Sequence, residues 1–100
     1  MDSVICYGDY KTEDIEYVES VKPYVKIHYI DGYTKMRRES LTEYEKNEGA
    51  FLIRTSRQYL VNLRYVREIG NSVLMESGTY IAVSRRKKPE LIYKYKEYLL

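Results

Sequence analysis

One cysteine, one histidine and no tryptophan occur in this chain of 100 residues, and each shortage closes off a class of function. The lone Cys6 excludes an internal disulfide, fits a reducing cytoplasm, and is expected as a small apolar residue in an edge strand. Hydrolytic and transfer chemistry need a base, a nucleophile or a metal cluster, and one His beside scattered carboxylates forms no such grouping. The glycines form no phosphate-cradling loop. An enzyme is therefore not expected, and neither is a metal or cofactor. No apolar run approaches the roughly 20 residues that span a bilayer. The acidic start lacks the basic end and apolar core of a secretion signal, so no membrane association is expected and the cytoplasm is the expected location.

What the chain does hold is tyrosine, 13 of them against one Phe. Tyrosine favours pleated surfaces and buries its ring while keeping its hydroxyl wet, which implies a β-rich fold with thin cores and many rings at sheet margins. A length of 100 residues suits one domain. Charged residues of both signs make up 32% and hydrophobic ones 44%, the balance of an ordinary folded protein.

Val4-Ile5-Cys6-Tyr7 reads as a short strand followed by the turn Gly8-Asp9, and Ile15 to Glu19 as a second strand. Tyr24 to Ile30 alternates strictly, Asp31-Gly32 is a strong hairpin signal, and Tyr33 to Met36 returns the chain. In that alternation His28 is expected on an exposed face. Ser40 with Glu43 reads as a capping box for a helix from Leu41 to Asn47, stopped at Gly49. Short strands follow over 51–55, 59–62, 63–69, 72–76 and 79–83. Ser84 offers a cap for a first turn, but the missing amide of Pro89 predicts that the regular helix starts there, with Leu91, Ile92, Tyr95 and Leu99 as its buried stripe. Two hairpin regions separated by one helix and closed by another predict a mostly β domain.

The basic residues gather in the second half. Residues 51–100 carry 10 Lys and Arg against 4 Glu, whereas residues 1–50 carry 7 basic and 11 acidic side chains. Three groups flank predicted strands: Lys22 with Tyr24 around Pro23, Arg54 and Arg57 around Thr55-Ser56, and Arg85-Arg86-Lys87-Lys88 after Val83-Ser84. Any one such group is commonly just a solvated surface. Three on one small scaffold, two of them Arg pairs beside Ser or Thr, point to a polyanion, since guanidinium forks suit phosphate oxygens and guanine edges alike.

These residues also carry a resemblance. Phe51, Arg54, Arg57, Tyr59, Leu60-Val61-Asn62, Val66, Ile69, Gly78, Ile81 and Val83-Ser84-Arg85 resemble the LytTR domain, the DNA-binding output domain of many bacterial response regulators. Upstream, the segment 14–19, the Asp31-Gly32 turn and the segment 40–45 look like that family's early strand, hairpin and helix, so the likeness runs from Ser3 to Tyr98. It implies an elongated stack of small antiparallel β-sheets with two short helices, whose loops enter two successive major grooves. Base contacts map onto Arg57, Arg85, Lys22 and Tyr24. Arg54, Thr55, Ser56, Arg86, Lys87 and Lys88 are suited to the DNA backbone. Asn62 is expected to satisfy backbone groups rather than to read bases.

The implied function is sequence-specific binding of double-stranded DNA to regulate bacterial transcription, by two copies on promoter direct repeats. The chain would be either the output domain of a two-component response regulator, with a receiver domain as partner, or a stand-alone regulator held by a separate inhibitory partner. Two other classes stay open on the residues alone. One is a small β-barrel module that binds protein through its tyrosines. The other is a single-stranded nucleic-acid binder stacking bases on Tyr24, Tyr59 or Tyr80.

Overall fold

A computed structural model describes residues 10–100. The strand expected at Val4 to Tyr7, the turn after it and Cys6 lie outside the described residues.

Strands β1 (Ile15–Val21), β2 (Tyr24–Tyr29), β3 (Thr34–Arg37), β4 (Leu52–Arg54) and β5 (Tyr59–Asn62) form a five-stranded sheet in the order β3-β2-β1-β5-β4. Strands β6 (Val66–Ile69), β7 (Ser72–Met75) and β8 (Tyr80–Ala82) form a second, three-stranded sheet. All pairings are antiparallel. Helix α1 (Leu41–Glu48) lies between β3 and β4 in the chain, and α2 (Lys88–Leu99) follows β8. The mostly β fold with two short helices is thus as the sequence implies. Its principal extents of 42 × 29 × 21 Å make it elongated.

The central strands β1 and β5 contribute side chains to a core on each face of the five-stranded sheet, whereas the edge strand β3 is exposed. Leu60 joins Val18, Ile27, Leu41, Tyr44 and Leu52 in one core under α1. Its neighbour Val61 points the other way, into a second core with Tyr17, Val66, Met75, Ile81 and Leu91. The second sheet and α2 close that side. Glu16 fastens the layers, because its carboxylate accepts the Ser77 amide at 2.8 Å from the turn between β7 and β8.

Local chemistry sets most boundaries. Gly32 and Gly78 adopt φ of 95° and 94°, which a β-carbon would oppose, and each sits in a hairpin turn. At the first turn Asp31 accepts from the Tyr33 amide at 3.0 Å and from the Tyr10 hydroxyl at 2.6 Å. The Tyr10 bond leads in holding the Asp31 carboxyl below its ordinary pKa. Ser40 Oγ accepts from the Glu43 amide at 3.1 Å, one half of the expected capping box, and Gly49 ends α1.

Several expectations need correction. Leu63 to Tyr65 is a 3-10 turn that Asn62 caps, so the expected strand over 63–69 begins only at Val66. Gly49 to Phe51 is likewise a 3-10 turn, leaving Phe51 half exposed before β4. Helix α2 starts at Lys88, after a turn in which Ser84 Oγ accepts from the Lys87 amide at 3.2 Å. Of its predicted stripe only Leu91 is sealed; Ile92 and Tyr95 are half buried, Tyr95 with its hydroxyl on Val66 O, and Leu99 is exposed. His28 is not on an exposed face: it stacks on Tyr17 at 4.1 Å, and its Nε2 lies 2.8 Å from Glu19 Oε1. The tyrosines divide between margin and interior. Tyr10, Tyr29 and Tyr33 cluster at the β2–β3 turn, whereas Tyr44 is so buried that desolvation pushes its phenol well up.

Candidate nucleic-acid interface

Sheet register brings the three basic groups to one end of the molecule. Val21 pairs with Tyr24 and Glu19 with Tyr59, so the turn Lys22-Pro23 and the loop 55–58 emerge at the same end of the five-stranded sheet. The Ser20 amide donates to Gln58 O at 2.8 Å and ties one to the other. The third group comes from the other sheet. Thr55 Oγ1 donates to Ala82 O at 2.9 Å, and the Ser84 amide donates to Thr55 O at 2.8 Å, laying the segment after β8 along the loop between β4 and β5. The sequence halves of opposite charge are therefore not spatial halves, since β1 of the acidic half pairs directly with β5 of the basic half.

Between the two stitched segments runs an open cleft of about 610 Å³ lined by Arg54, Ser56, Arg57, Ser84, Arg86 and Lys87, with Glu45 and Glu90 on its walls. Lys22, Arg57, Arg85 and Arg86 are exposed, and no ion pair engages them within the described residues. Lys87 has only a loose contact with Glu90 at 4.0 Å. Lys88 is half buried at the start of α2. Ser56 Oγ accepts from the Gln58 amide at 3.1 Å, which shapes the loop around Arg57. An apolar groove of about 380 Å³ lined by Phe51, Leu63, Asn62 and Tyr98 lies where β4 begins and β5 ends, at the other end of those strands.

Two residues assigned to the DNA backbone have their polar groups engaged within the protein. Thr55 is completely buried, and its hydroxyl is spent on Ala82, so it holds the two sheets together instead of meeting a phosphate. Thr55→Val keeps the shape and strands the Ala82 carbonyl. It should destabilise the fold by about 1 to 2 kcal/mol in urea denaturation. An unchanged midpoint would show that the hydroxyl is dispensable to the fold. Arg54 is half buried, with all three of its guanidinium nitrogens engaged within the protein.

One basic residue escaped sequence reading. Arg38 follows β3, whose Arg37 pairs with Val25, so the return strand delivers it beside the start of β2. Its guanidinium lies 5.7 Å from the centre of the Tyr24 ring, a cation–π pair at the same end of the sheet. The β2–β3 register is centred on Asp31 alone, whereas a two-residue turn at Asp31-Gly32 would set Glu39 opposite Tyr24, so the sequence signal misses Arg38 by one position. Arg37, the neighbour, is occupied by Glu39 at 2.9 Å. Of the tyrosines considered for base stacking, Tyr24 is covered in part by Arg38 and Tyr59 is half buried, while Tyr80 stands exposed on the other sheet.

The profile of the LytTr DNA-binding domain family matches residues 9–96. A solved structure, the LytTr DNA-binding domain of a protein described as a methyl-accepting/DNA response regulator from Bacillus cereus, shares the fold with a TM-score of 0.71 at 19% identity. That likeness covers 86% of this chain and 84% of the other. No curated protein matches the sequence.

Proposed function

This chain belongs to the LytTr DNA-binding domain family, and we propose that it binds double-stranded DNA in a sequence-specific way, through loops laid into successive major grooves, to regulate bacterial transcription. The observation that carries the reading is the joining of the Arg57 loop and the Arg85 segment by the Ser84–Thr55 and Thr55–Ala82 bonds, with neither guanidinium group in an ion pair among the described residues. A fork on a rigid base can donate two bonds to guanine O6 and N7, and each such pair contributes about 1 to 3 kcal/mol of discrimination. Arg57 and Arg85 take this role, with Lys22 and Tyr24 at the neighbouring turn as further base contacts. Arg86, Lys87, Lys88 and Ser56 position the domain on phosphates, and Arg38 joins them.

Two copies bind direct repeats in a promoter. Repeats spaced by about one or two helical turns put both copies on one face of the duplex. Control comes from a receiver domain or from a separate inhibitory protein. Work on the bacterial chromosome makes the cytoplasm the location. No helix among the described residues is long and apolar enough to cross a membrane.

Selection of bound duplexes from a random pool tests the reading as a whole. An enriched motif in two spaced copies is the expected result, and a pool that stays random, or one dominated by single strands, would overturn it. Phosphate contacts are tested separately. Lys87→Ala should flatten the plot of log affinity against log salt by about 0.9, with the preference between cognate and scrambled duplex unchanged. An unaltered slope would remove Lys87 from the phosphate contacts.

A further inference from the structure

Arg54 lies three residues from Arg57 and shares its charge, yet the two are placed in opposite circumstances. Arg54 Nε donates to Ser56 O at 2.7 Å, Nη2 to Arg57 O at 3.1 Å and Nη1 to Glu45 Oε1 at 2.7 Å. Its side chain is only 19% exposed. Glu45 belongs to α1, so the helix, the guanidinium and the loop form one chain of contacts.

The remaining carbonyls of the loop complete the pattern. Thr55 O accepts from the Ser84 amide and Gln58 O from the Ser20 amide. From Thr55 to Gln58, therefore, every carbonyl oxygen is turned onto a donor of the protein itself. A loop that meets a polyanion gains from this, because exposed carbonyl oxygens would face phosphate oxygens of like partial charge. Arg54 withdraws two of them and fixes the backbone from which the Arg57 side chain departs. A lysine could not, since three bonds in one plane to two carbonyls and a carboxylate need the guanidinium fork.

We infer that Arg54, anchored by Glu45, is a positioning residue that presents Arg57 to DNA and does not itself contact phosphate. The inference rests on the proposed DNA-binding function and adds a dependence of sequence reading on a carboxylate. That dependence has an unusual sign. Removing an acid near a polyanion ordinarily strengthens binding to any duplex. Removing Glu45 should instead weaken binding to the cognate duplex, because Arg54 loses its anchor and the loop loosens.

The test is Glu45→Ala, on the surface of α1, with Arg54→Lys beside it, each measured against selected and scrambled duplexes over a range of salt. For Glu45→Ala the cognate affinity should fall by about tenfold, the scale of one charge-assisted hydrogen bond, while the scrambled duplex binds as well as before or better. Arg54→Lys keeps its charge and should give the same loss of discrimination at an unchanged salt slope. Equal tightening on both duplexes by Glu45→Ala, or full cognate binding by Arg54→Lys, would overturn the inference. Hydrogen exchange without DNA reads the clamp directly: the Gln58 and Ser20 amides should exchange about tenfold faster in Glu45→Ala. Unchanged exchange would equally overturn it. A wild-type protein that treats the two duplexes alike would fail the proposed function instead, with the exchange experiment still judging the clamp.

Discussion

An Arg57→Ala/Arg85→Ala double variant is expected to bind cognate and scrambled duplexes with nearly the same affinity, having lost about 2 to 6 kcal/mol of discrimination from two bidentate contacts. Each single variant should lose part of this. The two sites share the Thr55 backbone through the Ser84 amide, so their losses need not add. Non-specific binding should survive, because Lys22, Arg38, Arg86, Lys87 and Lys88 remain as cations at the same end of the molecule. Stability should be unchanged, since both side chains are exposed and make no ion pair among the described residues. The check is a pair of mobility-shift titrations at one salt concentration beside a thermal melt. Parallel losses on both duplexes would move the two arginines from base reading to phosphate contact.

That contrast between Arg57 and Arg54 also marks what a sequence can disclose. Features governed by residues close in the chain were legible. The Asp31-Gly32 hairpin needs a left-handed glycine, Ser40 needs only the amide three residues on, and Gly49 ends α1 as expected. The three basic groups were legible as groups too, because each flanks a strand. What escaped depends on partners far away in sequence. Thr55 looks like a surface residue between two arginines until β8 supplies Ala82, 27 positions later, for its hydroxyl. Arg54 looks like Arg57 until α1 supplies Glu45. His28 alternates like an exposed residue, but Tyr17 and Glu19 of the adjoining strand cover it. Leu99 keeps helical spacing from Leu91 and Tyr95, yet it is exposed at the last residue of α2.

Asn62 is the exception that was read correctly at long range, and it supports the second large effect. An amide at the end of an apolar strand, just before a turn, is there to satisfy backbone groups that the strand leaves behind. Its Nδ2 donates to Glu13 O at 3.1 Å and Ile15 O at 2.9 Å, and its Oδ1 accepts from the Arg64 amide at 3.0 Å. Only 3% of the residue is exposed. Asn62→Ala therefore removes three bonds at once and leaves a cavity. The loss of stability should be about 3 kcal/mol, at the upper end for a single buried polar side chain with its partners left unpaired. Urea denaturation provides the measurement, and a loss under about 1 kcal/mol would mean that water replaces the amide. DNA preference tests the role from the other side. Asn62 lies at the end of β5 that pairs with Leu52, whereas Arg57 precedes the end that pairs with Arg54, so well below its melting temperature the variant should retain the wild-type ratio of cognate to scrambled affinity. A changed ratio at full folding would make Asn62 part of the reading surface, and the separation of a structural end from a DNA-binding end would fail with it.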